Sequence, residues 1–209
     1  MLNERLMDYL VPPPQQTEKK VLYLSGLAAS GKTTVASILQ ERLNAHLVSE
    51  FPESIPDYVM DTRVSSSEEQ KVEAQQWVIY QYVQKNDVVS TLNGNIVVDR
   101  TWIDALIYSQ IYGESVLNVI SQEAEKYKWN PGLYVLLYAD EIVIKQRLHE
   151  KFGLSESDWQ ESWKPYIHDL RQSVIDLAVE SGILAIDTSA LSPVQVSEII
   201  EDKFRKTFE

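Results

Sequence analysis

Residues 20–34, KVLYLSGLAASGKTT, decide how the rest of the chain is read. Val21, Leu22, Tyr23 and Leu24 form a short apolar run of the kind a buried strand needs. Gly26-Leu27-Ala28-Ala29-Ser30-Gly31-Lys32-Thr33 then satisfies the phosphate-loop pattern at every fixed position. Beyond it, Val35, Ile38, Leu39 and Leu43 recur at helical spacing. Glycines at 26 and 31 let the backbone turn tightly, so that its N–H groups converge on an anion. The N-terminus of the following helix adds partial positive charge at the same spot. The cradle comprises Gly26, Ala28, Ala29, Ser30, Gly31, Lys32, Thr33 and Thr34. In this pattern Lys32 reaches the β- and γ-phosphates of a nucleoside triphosphate, and Thr33 holds Mg²⁺ through its hydroxyl.

With 209 residues, the chain suits one α/β domain with a substantial core. Its 19 basic and 31 acidic side chains give a formal charge of −12, which argues against extended contact with nucleic acid or anionic membrane. A small anionic ligand needs only a few local donors and is compatible with that charge. There is no cysteine, so disulfides, thiolate nucleophiles and cysteine metal sites are excluded. No signal peptide and no run of about 18 apolar residues is found, and a soluble, cytoplasmic protein is expected. His46, His149 and His168 show no spacing that suggests a metal site or a triad.

Residues 1–19 read as an N-terminal extension, a short helix stopped by Pro12-Pro13-Pro14, and residues 20–209 as the domain. A second strand is expected at Ala45–Val48, ending at Ser49-Glu50. Ser66 and Glu69 have capping-box spacing for a long helix reaching about Leu92. Asn95–Val98 reads as the third strand and delivers Asp99-Arg100-Thr101. Helical stretches follow to about Trp129; Leu133–Tyr138 is the fourth strand and Ile183–Ile186 the fifth. Helices are expected over residues 140–151 and about 161–180, and a last one begins at the Ser192-Pro193-Val194-Gln195 capping box. Five apolar strands alternating with helices predict a parallel sheet covered on both faces, with ligands beyond the carboxyl ends of the strands.

The order GLAASGKTT, SEFPES, VVDRTWIDALIY and IKQRLHEKFG resembles the thymidylate kinase and deoxynucleoside kinase group of P-loop kinases, over residues 20 to about 205. The resemblance implies a P-loop NTPase fold with a five-stranded parallel core and a helical lid over about residues 141–171. It also implies ATP and Mg²⁺ as cofactors and a nucleoside-type acceptor over the sheet. Related kinases often dimerise through helices beside the acceptor site, so a homodimer is compatible with the resemblance.

Asp99, ending a strand beside the phosphate loop, is placed to order Mg²⁺ through its waters. In the resembling families the adjacent arginine, here Arg100, reaches the acceptor's 5′ end and steadies the transferring group. The other reading has Asp99 capping the helix at Thr101 and Arg100 paired with a surface acid. Deoxynucleoside kinases carry a glutamate followed closely by proline as base for the sugar hydroxyl, and Glu50-Phe51-Pro52 looks like that arrangement with one added residue. A neutral hydroxyl must lose its proton as it attacks phosphorus, and a carboxylate can take it. A phosphate acceptor among Glu50, Glu53 and Asp57 would be repelled unless Arg63 or Arg100 compensated. Equally, those acids could decorate a solvated loop.

On the long helix, Gln76 lies at a distance before the Asp-Arg pair similar to that of the base-reading glutamine of deoxynucleoside kinases. Trp77 and Tyr80 could stack on a base and Tyr58 could cover a sugar, although aromatics at helical spacing usually belong to the core. Arg147 matches the arginine that opens the family's lid, where guanidinium groups neutralise phosphoryl charge. Lys145, Lys151, Lys164 and Arg171 add little arginine density to that segment. Asp187-Thr188 falls near the adenine in this fold, or forms a turn before Ser192. The expected activity is transfer of the γ-phosphoryl group of ATP to a nucleoside or nucleoside monophosphate. The alternatives are a kinase of another hydroxyl metabolite or antibiotic, and a nucleotide-binding regulatory module with slow hydrolysis.

Overall fold

The computed structural model of the chain describes residues 18–50, 54–60, 62, 66–153 and 155–208. The leader up to residue 17, and Phe51, Pro52, Glu53 and Arg63 singled out above, lie outside the described residues.

Strand β1 (Lys19–Gly26) runs through the middle of a five-stranded sheet with β2 (His46–Val48), β3 (Gly94–Asp99), β4 (Leu133–Tyr138) and β5 (Leu184–Asp187). The order is β2-β3-β1-β4-β5 and every pairing is parallel. Alternation along β1 sorts the core into two layers. Val21 and Tyr23 face one cluster with Ile96, Val98, Tyr134 and Leu136, and Leu22 and Leu24 face the other with Val97, Val135 and Leu137.

The second of these faces is covered by α1 (Lys32–Arg42) and by α9 (Pro193–Phe208), through Val35, Leu39, Ile200 and Phe204. The first is covered by α3 (Glu68–Thr91), α4 (Trp102–Tyr112), α5 (Glu114–Glu125) and α8 (Lys164–Ser181). A short α2 (Asp57–Met60) precedes α3. The segment expected to form a lid contains α6 (Glu141–Phe152), a single turn α7 (Glu156–Asp158) and a π-helical turn at Trp159–Trp163 leading into α8.

Leu133–Tyr138 forms a strand with the bounds expected and the last helix starts at Pro193 as expected, whereas the other elements shift by one to a few residues. The α3 cap is displaced by one position: Ser67 accepts from the Gln70 N–H and Gln70 Oε1 accepts from the Ser67 N–H, in place of the Ser66–Glu69 pair. At α9 the expected box forms, with Ser192 and Gln195 exchanging the same two bonds.

Gly26 ends β1 at φ +119°, and a Cβ there would lie 2.1 Å from the Leu137 carbonyl oxygen on β4. Gly153, at φ +65°, has nothing within 4 Å of the same hypothetical atom. Gly153→Ala should therefore cost about 1–2 kcal/mol from backbone conformation alone. Gly26→Ala, with backbone strain and collision combined, should cost about 3 kcal/mol or more. Urea unfolding of the two variants reads the difference; equal losses would show that close approach to β4 is unimportant.

Candidate active site

The phosphate loop leaves β1 at Gly26 and turns through Ala29 (φ +54°) and Gly31 (φ +95°) into α1. No side chain caps α1, so the orphan amides of its first turn remain available at the mouth of the loop. The Gly26 N–H donates to Asp104 Oδ1 at 2.9 Å and the Leu27 N–H to the Leu137 carbonyl at 3.0 Å, which ties the loop to α4 on one side and β4 on the other.

Lys32 is buried and folds over its own loop, with Nζ donating to the carbonyls of Gly26 (3.0 Å) and Leu27. Burial, with the Arg100 charge nearby, lowers its pKa to about 8. A polyphosphate would offer that ammonium anionic oxygens in place of neutral carbonyls, which favours its charged form.

Thr33 Oγ1 donates to Asp99 Oδ2 at 2.7 Å. Asp99 is buried, and its other oxygen, Oδ1, has no hydrogen-bond partner among the described residues. A hydroxyl beside a carboxylate with an unused oxygen is a donor set suited to a hard cation such as Mg²⁺, which takes its remaining ligands from water and phosphate. Among the described residues no group of three His, Asp or Glu side chains could hold a metal on protein ligands alone.

Thr33, Glu50, Arg100 and Arg147 all open on one cavity of about 460 Å³, whose floor is the loop from Ala29 to Thr34. Glu50 lies just past β2, and its Oε1 pairs with Arg100 Nε as an ion contact without an aligned N–H bond. Arg100 itself adopts a left-handed backbone, φ +69°, a conformation that costs a non-glycine residue about 1–3 kcal/mol. Its N–H donates to the Leu24 carbonyl at 2.8 Å, and its guanidinium lies near Asp104 and in hydrogen-bond contact with Tyr108. Burial works against the Arg100 charge, but Tyr108, Asp104 and Glu50 outweigh it and hold the pKa well above its ordinary value. Asp99 does not cap α4; Thr101 and Asp104 make that capping box instead.

Arg147, on α6, is committed elsewhere in the cavity. Its guanidinium donates to the Ala29 carbonyl (3.2 Å) and to the hydroxyl (3.0 Å) and carbonyl (2.9 Å) of Thr188, whose own hydroxyl donates to the Ser30 carbonyl. The arginine thus buttresses the loop from the β5 side. Of the remaining cations of that segment, Lys145 pairs with Glu156 at 2.6 Å and Arg171 with Asp140 at 3.2 Å, while Lys151 lines the cavity.

Tyr58, Gln76 and Tyr80 do not line this cavity; all three are solvent-exposed, the tyrosines 45% and 55%. On α3 the glutamines that turn inward are Gln75 and Gln81, each buried with a side-chain oxygen unpartnered among the described residues. Two charged residues had escaped the sequence reading. Asp104 is legible in retrospect from its capping-box distance to Thr101. Lys85 stands in phase with the buried Tyr82 and Val89, and its ammonium reaches the carbonyls at the ends of β2 and β3.

No curated protein sequence matches the chain. Among solved structures, deoxyadenosine kinase from M. mycoides with bound dCMP and dCDP superposes with a TM-score of 0.71 at 16% identity, over 89% of this chain and 99% of the other. Thymidylate kinase from Candida albicans gives 0.67 at 17% identity, over 91% and 94%. Shikimate kinase from Acinetobacter baumannii, in complex with shikimate, gives 0.53 at 18% identity, over 93% and 98%. The fold is that of the P-loop kinases. A model of the AAA domain family matches residues 21–180, a span that holds the phosphate loop, Glu50, Asp99, Arg100 and Arg147, and the chain belongs to that family.

Proposed function

We propose that the protein transfers the γ-phosphoryl group of ATP to the hydroxyl of a small molecule, a nucleoside in the reading we favour. The observation that carries this is a carboxylate, Glu50, held by Arg100 in the same cavity as the phosphate loop. Loop amides and Lys32 bind the phosphates of the donor. Thr33 and Asp99 hold Mg²⁺, which when bound would neutralise phosphate charge. Glu50 accepts the hydroxyl proton as the acceptor oxygen bonds to phosphorus and the bond to ADP breaks; the proton then leaves to solvent. Arg100 orients Glu50 and adds positive charge beside the transferring group.

A monophosphate acceptor is less well supported, since its two negative charges would meet Glu50, and Arg100 is already matched by that carboxylate. A second hydroxyl class, a non-nucleoside metabolite or antibiotic, is favoured by one observation: Tyr58, Gln76 and Tyr80 lie outside the cavity. ADP release measured over a panel of nucleosides, nucleotides and other alcohols separates these readings. Stimulation by a nucleoside supports the first and by another alcohol the second. Acceptor-independent hydrolysis would overturn both and leave the regulatory module.

Glu50→Gln should lower kcat by about 100-fold or more with ATP affinity nearly unchanged, since the base acts only as the hydroxyl reacts. Unchanged turnover would remove Glu50 as base. In calorimetry, Mg²⁺ should strengthen ADP binding to the parent, and Asp99→Asn should lose most of that gain, about tenfold, while binding in EDTA stays similar. An equal Mg²⁺ effect in both proteins would take Asp99 out of the metal site.

A further inference from the structure

Two of the cavity's charged side chains, Glu50 and Arg100, stand just past strand ends that a third group holds together. Lys85 projects from the last third of α3 toward the ends of β2 and β3 and is 4% exposed. Its Nζ donates to the Glu50 carbonyl at 2.9 Å, to the Arg100 carbonyl at 2.9 Å, and to the Asp99 carbonyl. An ammonium has three hydrogens, and here each has a main-chain acceptor. Those acceptors belong to Glu50, two residues past β2, to Asp99, the last residue of β3, and to Arg100, the next one, and these three residues form part of the site. The Tyr82 ring, 5.5 Å away, covers the ammonium on its own helix.

We propose that Lys85 is a positioning residue: its ammonium fixes the ends of β2 and β3 so that the Glu50 carboxylate and the Arg100 guanidinium meet opposite the phosphate loop. The proposal rests on the phosphotransfer reading for its kinetic consequence, but not for its geometry. Arg100 needs such a hold because its left-handed backbone is unfavourable; the peptides on either side of it are otherwise held by the Arg100 N–H to the Leu24 carbonyl and the Thr101 N–H to Asp104. A neutral side chain of the same bulk would take from three carbonyls the donor they have among the described residues. They would turn toward water, and the residues that carry them would turn too. The phosphate loop would stay put, because its bonds to Asp104 and to the Leu137 carbonyl do not involve Lys85. Damage should therefore fall on the acceptor step and spare nucleotide binding.

The absence of cysteine from the chain permits a clean exchange of this one charge. Lys85→Met should lower kcat about 100-fold while the Kd for ADP stays within about threefold. Lys85→Cys, alkylated with 2-bromoethylamine in urea and refolded, regains an ammonium at nearly the same reach and should recover most of the turnover. The same variant alkylated with iodoacetamide gains bulk without charge and should not. A crystal structure of Lys85→Met should show the Glu50–Arg100 pair opened. The proposal is overturned if that pair persists, if Lys85→Met turns over within about threefold of the parent, or if the neutral alkyl group restores turnover equally well. Were the parent to show no acceptor-dependent transfer at all, the functional reading would fall, while the crystal structure would still judge the positioning role.

Discussion

The site depends on a single carboxylate that faces away from it. Asp104, buried in the first turn of α4, accepts the Gly26 N–H on one oxygen and the Thr101 N–H on the other. The first bond holds the entrance of the phosphate loop and the second the turn between β3 and α4. Ser25 and Thr101 reinforce the same seam through a 2.8 Å bond between their hydroxyls. The loop that binds an anion and the strand end that carries Asp99 and Arg100 are thus held in register by two charge-assisted bonds. Such bonds are stronger than those between neutral groups. Without them, among the described residues, the two halves of the site would be joined by the ladder between β1 and β3, the Ser25–Thr101 hydroxyl bond and the Thr33–Asp99 bond.

Around that seam the charges balance locally although the chain as a whole is strongly acidic. Lys32, Lys85 and Arg100 are set against Glu50, Asp99 and Asp104, three cations and three anions, most of them buried. Buried charges are tolerable only when each is compensated, and here compensation comes from carbonyls for the lysines and from carboxylates for the arginine. A polyphosphate entering alone would upset the balance. A divalent cation entering with it at Thr33 and Asp99 would cancel two of the polyphosphate's negative charges, which links the two binding events electrostatically.

The central strand, loop and first helix were legible because glycine, lysine and apolar residues each have a steric or electrostatic reason to stand where they do. Leu133–Tyr138 was legible because a continuous apolar run between turn residues fits a strand buried on both faces. The α3 cap was ambiguous: Ser66 with Glu69 and Ser67 with Gln70 have the same spacing, and the chain uses the second pair. Gln76 illustrates a different limit. One residue turns a helix by about 100°, so a reading taken from distance along the chain lands on the exposed Gln76 while its neighbour Gln75 is buried. Lys85 was hidden because a lysine on a polar helix ordinarily belongs to a solvated face. Only its phase with Tyr82 and Val89 marks it, and the carbonyls it meets come from strands whose approach is set by tertiary packing.

The same packing bears on what the cavity accepts. Arg147 is held by Thr188 and the Ala29 carbonyl, so it shapes the loop from the far side. Arg171 is drawn off to Asp140 and lies over the Tyr138 ring. The guanidinium opposite the loop is then that of Arg100, and Glu50 already engages it. An acceptor phosphate would have to displace that carboxylate while bringing more negative charge than one arginine can match. A hydroxyl need only approach the carboxylate and give up a proton, leaving the ion pair where it stands, and that asymmetry in electrostatic demand is the physical ground for preferring an alcohol as the acceptor.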